Sequence, residues 1–276
     1  MPTIPHYIFR SSELFLYDDN TLPGELPAEL EESPLDSLEL SVGGVPSHAI
    51  LLPDSATRAS VVSSSVSDSV QSASKPETGG RWVRLRNLIA AEDPALASLA
   101  PAATRALGLI NWHASSRFCA RCGSPLSDHP SETARRCPSC GVLFYPRISP
   151  AIIVLVEKEG KILLARHAQR NQDVFACLAG FLEHGETLEA CVAREVREET
   201  GLEVHRIRYA GSQSWPFPDQ FMVAFRAEWK SGEIRVDPSE ILEARWFDRN
   251  DLPATPQRGT VAWRLIYDQI HPDFGD

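Results

Sequence analysis

Positive charge is scarce in this chain of 276 residues: 27 lysines and arginines stand against 37 aspartates and glutamates, a formal net of −10. Such a balance excludes a general coat for nucleic acid or for an anionic membrane, because phosphate attraction needs a net positive face. It leaves room for a local one. Long apolar runs are missing as well: none approaches the ~18 residues that a membrane-spanning helix requires, so no membrane partner is expected. The opening stretch MPTIPHYIFRSSELF has no cationic segment leading into an apolar one, as a secretion signal would. The closing Phe274, Gly275 and Asp276 do not form a peroxisomal address of the Ser-Lys-Leu kind. Together these absences predict a cytoplasmic protein.

What is present is ordinary globular material, 43% hydrophobic and 23% charged. At about 100 to 200 residues per domain, the length allows two domains and a small third. Charge divides them: residues 1–110 hold 7 basic and 14 acidic side chains, residues 111–149 hold 5 and 2, and the remainder hold 15 and 21. The middle stretch, which carries four of the six cysteines, is the one cationic segment and reads as a separate module. The expected division is an N-terminal domain over 1–113, a small module over 114–146 and a third domain over 147–276.

Short apolar runs at 14–17 and 48–52, broken by proline, glycine and acid, suggest a small β-rich or α+β N-terminal domain. Nine of the twenty residues in 55–74 are serine, which reads as a solvated loop, with a phosphorylated regulatory tail as the other reading. The alanine- and leucine-rich run 96–113 predicts a helix started or kinked at Pro101. Strand-like runs at 151–156 and 161–166 flank Glu157-Lys158-Glu159-Gly160, a hairpin signal. A third, 174–179, ends at Gly180. Residues 187–200 are helical by pattern, with Leu188, Val192 and Val196 on one face and Gly201 placed to stop the helix. Further strands are expected at 204–212, 220–229 and 242–247, and a closing helix at 260–271. Strands around one strongly marked helix predict an α+β sandwich.

Cys119-x-x-Cys122 and Cys137-x-x-Cys140, fourteen residues apart, have the spacing of two knuckles that present four thiolates to one tetrahedral zinc. Two disulfides are the alternative, disfavoured by the reducing compartment. Gly123 and Gly141 follow each pair, as a rubredoxin-like ribbon needs where the backbone turns left-handed. With every zinc position filled by protein, the site is expected to be structural. Arg117, Arg121, Arg135 and Arg136 on this module either touch a phosphate chain or serve solubility. Cys177 and Cys191 fall on apolar positions and read as buried, inert thiols.

The segment GFLEHGETLEACVAREVREETGL, residues 180–202, sets Glu195, Glu198 and Glu199 at i, i+3 and i+4 on one arc of a helix. Like charges so spaced destabilise a helix by a few tenths of a kcal/mol per pair. One resolution is that Arg194 and Arg197 offset them on a solvated face. The other is a hard divalent cation, Mg²⁺ or Mn²⁺, bound by oxygen ligands from the helix and from a turn holding Gly180 and Glu186. Carboxylate-bound ions of this kind grip a phosphate chain and activate water to attack phosphorus, with one unneutralised glutamate able to take the proton.

Gly180, five residues, Glu186, seven residues, Arg194-Glu195-Val196, one residue, Glu198-Glu199, one residue and Gly201-Leu202 match the Nudix box at every fixed position. The chain therefore resembles the Nudix hydrolases, and the resemblance implies an α/β/α sandwich carrying a metal-dependent pyrophosphohydrolase. Ser212-Gln213-Ser214-Trp215-Pro216-Phe217-Pro218 resembles the SQPWPFPxS signature of the NADH pyrophosphatases. The four-cysteine ribbon upstream, the Tyr145-Pro146-Arg147-Ile148-Ser149-Pro150 run and Asp237-Pro238-Ser239-Glu240 resemble that group too. Ser214 replaces the signature's proline and Gln220 its last serine, departures that bear on the shape of a nicotinamide pocket. The likeness is close from about Trp112 onward and loose before it.

By position, the resemblance implies that Glu195, Glu199, Glu240 and the carbonyl of Ala179 hold the catalytic ions. Glu198 is implied as a ligand or the base, and Glu186 and Arg194 as groups that orient the others. Tyr145 and Phe181 are implied to stack on ligand rings. Gln213, Ser214, Trp215, Pro216, Phe217, Pro218, Asp219, Gln220, Glu132, Ala262 and Arg84 match substrate-contacting positions. In this family the signature loop enters the partner's site, which implies a homodimer. The implied reaction is hydrolysis of NAD(H) to nicotinamide mononucleotide and AMP and, where the AMP begins an RNA, removal of an NAD cap; the cap reading predicts that Arg121, Arg135 or Arg136 contributes to RNA turnover and little to hydrolysis of free NADH. ADP-ribose or dinucleoside polyphosphate hydrolysis is the alternative within the class, and a non-catalytic nucleotide sensor the alternative outside it.

Overall fold

The computed structural model describes residues 4–30, 33–54, 79–168 and 173–270. The serine-rich stretch 55–74 and His271 lie outside the described residues. The chain forms two compact units, one of Met1–Arg147 with Pro216–Pro218, the other of Ile148–Trp215 with Asp219–Asp276. Among the described residues no helix is long and apolar enough to cross a membrane.

In the first unit β1 (His6–Arg10), β2 (Glu13–Tyr17), β3 (Asp36–Val42), β4 (Val45–Leu52) and β5 (Gly80–Arg84) form one sheet in the order β3-β4-β1-β2-β5. Strand alternation sorts its side chains onto two faces. Phe9, Leu14 and Leu16 pack with Leu85 and Leu88 of α1 (Leu85–Ile89) and with Ala103, Leu107 and Ile110 of α2 (Pro94–Ser115). Ile8, Phe15 and Leu52 gather on the other face around Leu30. The Asp93 side chain caps α2 by accepting from the Ala95 amide at 2.9 Å, and the helix runs through Pro101 rather than starting there.

The cysteine module adds a small antiparallel sheet of β6 (Ser127–Asp128), β7 (Arg135–Arg136) and β8 (Leu143–Phe144). Its attachment runs through the last turn of α2. His113, 7% exposed, lies 2.7 Å from Asp36 Oδ2 of β3 and 2.9 Å from Asp128 Oδ1 of β6. Arg135 donates to the carbonyls of Ser116 at 2.8 Å and His113 at 3.3 Å, acceptors that the end of α2 leaves open, and to that of Leu126 in the ribbon at 2.9 Å.

The second unit is a sheet in the order β12-β13-β9-β10-β14, built from β9 (Ser149–Lys158), β10 (Lys161–His167), β12 (Glu203–Trp215), β13 (Gln220–Ser231) and β14 (Ile241–Asp248). A sixth strand, β11 (Leu178–Phe181), pairs with β9. β9 is apolar on both sides, as a strand covered on both faces must be. Ile152, Val154 and Val156 meet Cys191, Val192 and Val196 of α3 (Leu188–Thr200). Ile153 and Leu155 share the opposite core with Val261, Leu265 and Ile266 of α4 (Val261–Ile266). This is a helix–sheet–helix sandwich. The closing helix is shorter than its expected 260–271, and the expected strand 174–179 is displaced to Leu178–Phe181.

α3 has sharp ends. Thr187 Oγ1 accepts from the Ala190 amide at 3.1 Å, and Gly201 turns the chain left-handed at φ 71°. A Cβ at Gly201 would meet Arg235 Cβ at 3.4 Å, so backbone strain is the main obstacle there. Gly201→Ala should lower stability by about 1 kcal/mol, measured as a reduced urea midpoint at unchanged m-value.

Candidate active site and cysteine centre

Strand, loop and helix meet at one guanidinium. Arg194, midway along α3, grips Glu186 of the preceding loop with both ends of its fork, Nε to Oε1 at 2.6 Å and Nη2 to Oε2 at 2.9 Å. Nη1 reaches Glu195 Oε1 at 2.8 Å and Glu198 Oε2 at 3.0 Å, and Nη2 also donates to the Phe181 carbonyl at the end of β11, 3.0 Å away. Arg194 therefore works inside the carboxylate arc, whereas Arg197 turns away to Glu203 at 2.7 Å.

The charges respond to this geometry. Arg194 holds the Glu186 carboxyl down at about 2, helped by the Glu183 amide. Its own protonated form is strengthened, first by Glu186. Glu195 is pushed upward by burial, with Glu198 and Glu240 adding and Arg194 opposing. Glu199 is buried, at 4% exposure.

Gly180 departs from the expected turn, since it lies within β11 opposite Ile152 of β9. Its role is space. A Cβ there would overlap the Glu195 carboxyl, so the glycine lets that carboxylate lie against the backbone of the strand. Ala179 precedes it, opposite Ile153. Glu240 lies in the turn before β14, its amide 3.1 Å from the Asp237 carbonyl, its carbonyl accepting from Ala168 at 2.8 Å. Glu195, Glu199 and Glu240 are not drawn as close together as the cysteines are. Among the described residues, the cysteine tetrad is the one acidic, thiol or imidazole group of three or more whose ligand atoms all lie within 4.8 Å.

In that tetrad Cys119 Sγ lies 3.6 Å from Cys140 Sγ, and Cys122 Sγ lies 3.5 Å from Cys137 Sγ. A disulfide would need about 2.05 Å, whereas the edge of a tetrahedron with Zn–S of about 2.3 Å is about 3.8 Å. The two knuckles repeat each other: the amides of Gly123 and Gly141 return to the carbonyls of Cys119 and Cys137 at 2.8 and 3.0 Å, and both glycines are left-handed, at φ 74° and 75°. Donor type and spacing fit one structural zinc. Cys177 and Cys191 are fully buried, which pushes their thiols up to about 12 and about 11.

The remaining expected positions are distributed over both units. In the first, Tyr145 donates to Glu132 Oε2 at 2.9 Å, and Arg84 ends β5 with Nε 3.4 Å from Glu13. Pro216–Pro218 belongs to that unit, where Phe217 joins the α2-side core with the Arg86 guanidinium 4.7 Å over its ring. In the second, the ring of Phe181 is 53% exposed, Trp215 packs on the α4-side core, and Ser214 pairs with Phe221 across the hairpin. The Asp219 carbonyl accepts from Ser149 at 2.8 Å, and Gln220 opens β13. Ala262 is buried in α4. Gln213 holds the start of that helix, accepting from Val261 at 2.8 Å and donating to Gly259 at 3.1 Å.

Three functions here are invisible in the sequence: the Phe181 carbonyl as an acceptor, Gly180 as space for Glu195, and Gln213 as a clamp. Each depends on a partner 13 to 48 residues away, beyond any local pattern.

A sandwich with one carboxylate-lined helix, preceded in the chain by a ribbon of four cysteines, defines a Nudix-type hydrolase with a zinc-ribbon module. Residues 146–268 match the NUDIX domain model and residues 114–145 the NADH pyrophosphatase zinc ribbon domain. The NAD-capped RNA hydrolase NudC of Stutzerimonas stutzeri (strain A1501) is 46% identical over 188 residues, 68% of this chain and 67% of the relative. That of Salmonella heidelberg (strain SL476) is 49% identical over 174 residues, 63% and 68% of the two chains. The crystal structure of a NUDIX hydrolase from Nitrosomonas europaea is similar at 29% identity and a TM-score of 0.46, covering 55% of this chain and 86% of that one. The chain belongs to the Nudix hydrolase family, in the branch that carries the NADH pyrophosphatase zinc ribbon.

Two outcomes follow. Because the folded-state carboxyl of Glu186 is depressed, its stabilisation is complete above the unfolded value of about 4.3 and is lost as pH falls toward about 2. The gap in urea midpoint between wild type and Glu186→Gln should therefore be widest at pH 7 and narrow through pH 4 and 3; a constant gap would refute the assignment. Cys137→Ser should reduce bound zinc below one ion per chain by atomic absorption and lower the Tm, since structural zinc contributes directly to folding.

Proposed function

We propose that this chain hydrolyses the pyrophosphate of NAD(H) to nicotinamide mononucleotide and AMP, and that it removes NAD caps from RNA 5′ ends. The observation that carries the reading is the 46% identity to an NAD-capped RNA hydrolase over 188 residues, a stretch longer than the Nudix match alone. The oxygen donors Glu195, Glu199, Glu240 and the Ala179 carbonyl suit Mg²⁺ or Mn²⁺, and the cradle at Gly180, which a Cβ would fill, keeps the Glu195 carboxylate against the strand. When bound, such ions screen the pyrophosphate charge and acidify the attacking water.

The chain's own groups set the stage for that attack. Arg194 fixes Glu195 and prevents the arc from splaying under its own repulsion, and Glu186 fixes Arg194. Glu198, 58% exposed at its side chain, would serve as the base that takes the water's proton or as a further ligand. Water adds to one phosphorus, the bridging oxygen leaves with the other, and the pyrophosphate becomes two monophosphates. Tyr145 and Phe181 present exposed rings for stacking, and Gln213, Ser214, Trp215, Phe217, Gln220, Glu132, Ala262 and Arg84 are carried by position as substrate contacts. The working enzyme is a cytoplasmic homodimer with one structural zinc per chain.

With Mg²⁺ or Mn²⁺ present, product chromatography should find nicotinamide mononucleotide released from both NADH and NAD-capped RNA. Glu199→Gln should lower kcat on both by ~10²-fold or more. Release of monophosphates from ADP-ribose alone, with no nicotinamide mononucleotide from NADH, would replace this reading by the ADP-ribose one.

A further inference from the structure

The N-terminal sheet brings two histidines, 42 residues apart in sequence, ring against ring. β3, β4 and β1 are neighbours, and their register sets Glu39 opposite His48 and His48 opposite His6. Strand alternation fixes the face. His6 lies two residues before Ile8 and His48 two before Ile50, both in the core around Leu30, opposite the face that meets α1 and α2. One row of three side chains therefore crosses three strands. Solvent reaches it: His6 is half-buried, and the side chains of His48 and Glu39 are 37% and 90% exposed.

The groups around the two rings assign their hydrogens. His6 Nδ1 lies 2.9 Å from the Ile4 carbonyl oxygen, and His48 Nε2 lies 3.4 Å from Glu39 Oε1. A carbonyl and a carboxylate only accept, so each of these outer nitrogens carries a hydrogen. The inner nitrogens, His6 Nε2 and His48 Nδ1, face each other at 3.2 Å. In neutral rings both are then lone pairs with no donor between them, and a shared cation turns that repulsion into attraction. This is how a metal-binding histidine is held: its outer N–H goes to a backbone carbonyl or a carboxylate, and its inner nitrogen points at the ion. The spacing agrees, since a tetrahedral ion with metal–nitrogen bonds of about 2.0–2.1 Å sets its ligands about 3.3–3.4 Å apart. Imidazole donors suit Zn²⁺, Ni²⁺ or Cu²⁺, whereas carboxylates suit Mg²⁺ or Mn²⁺.

We propose that His6 and His48 form a second metal site, separate from the cysteine centre, in which their inner nitrogens bind one borderline divalent ion of the Zn²⁺ class. Glu39 and the Ile4 carbonyl orient the rings, and water completes the coordination. The ion cross-links β1 to β4, a parallel pair that no tight turn can join. The test uses the untagged full chain with one zinc already bound at the cysteines and Mg²⁺ in excess to occupy the Nudix carboxylates. Calorimetric titration with Zn²⁺ should show a second equivalent in wild type and none in His6→Gln or His48→Gln. Glu39→Gln should bind it about tenfold more weakly, the usual effect of losing the group that orients a ligand. The second ion should raise the Tm of wild type, because it binds the folded strand pairing alone, and leave that of His48→Gln unchanged. Absence of a second equivalent in wild type would make a proton the shared cation and overturn the proposal. A second equivalent that survives both histidine substitutions, or equal Tm shifts in wild type and His48→Gln, would overturn it as well.

Discussion

The second unit depends on one half-buried cation in a crowd of anions. Glu195, Glu198 and Glu186 all end within 3.0 Å of the Arg194 guanidinium. Without it, two like charges a turn apart on α3 and a third from the loop would repel in a site where burial already disfavours charge. Arg194 in turn is fixed by packing, because Cys191, Val192 and Val196 seat α3 on β9. The apolar face thus sets the rotation of the helix, and the rotation sets which carboxylates share the arginine. The Phe181 carbonyl completes the arrangement from the end of β11, so the strand register belongs to the same constraint.

Much of this was legible because it is local. The spacing of Leu188, Val192 and Val196 marks the helix, Gly201 marks its end, and α3 spans Leu188–Thr200 with Gly201 left-handed. The cysteine pairs are equally local, and their four sulfurs meet. Gly180 shows where local reading fails. Glycine ordinarily punctuates a strand, so 174–179 reads as a run that stops before it. In the fold the ladder with β9 continues through Gly180, and the reason for glycine is a carboxylate fifteen residues further on. That requirement has no periodicity and leaves no trace in composition. Arg135 is the second case: sequence presents Arg135 and Arg136 as equals, and only the pleat assigns one to the interior and the other to solvent.

The six cysteines separate into two chemical populations by surroundings rather than by spacing. Cys177 and Cys191 are buried, Cys191 with its sulfur 3.4 Å from the Phe181 carbonyl and 3.5 Å from Arg194, and burial disfavours the thiolate of each. The other four converge from two backbone knuckles of the same geometry, where a cation would offset four thiolates at once. Removing that cation would leave the ribbon only Leu126 and Phe144 beside its cysteines as a core, far too little to hold so short a sheet.

A formal charge of −10 describes neither site. At the Nudix helix the negative charge is concentrated and partly desolvated, a condition that favours cations and repels a bare phosphate chain. On the ribbon the balance is the reverse, five basic side chains against two acids over residues 111–149, with Asp128 paired to Arg135 and Arg136 exposed. Polyanion recognition depends on the charge left unpaired on a face, and side-chain pairing decides that quantity. Net charge is therefore the wrong scale at which to exclude a polyanionic partner for this chain.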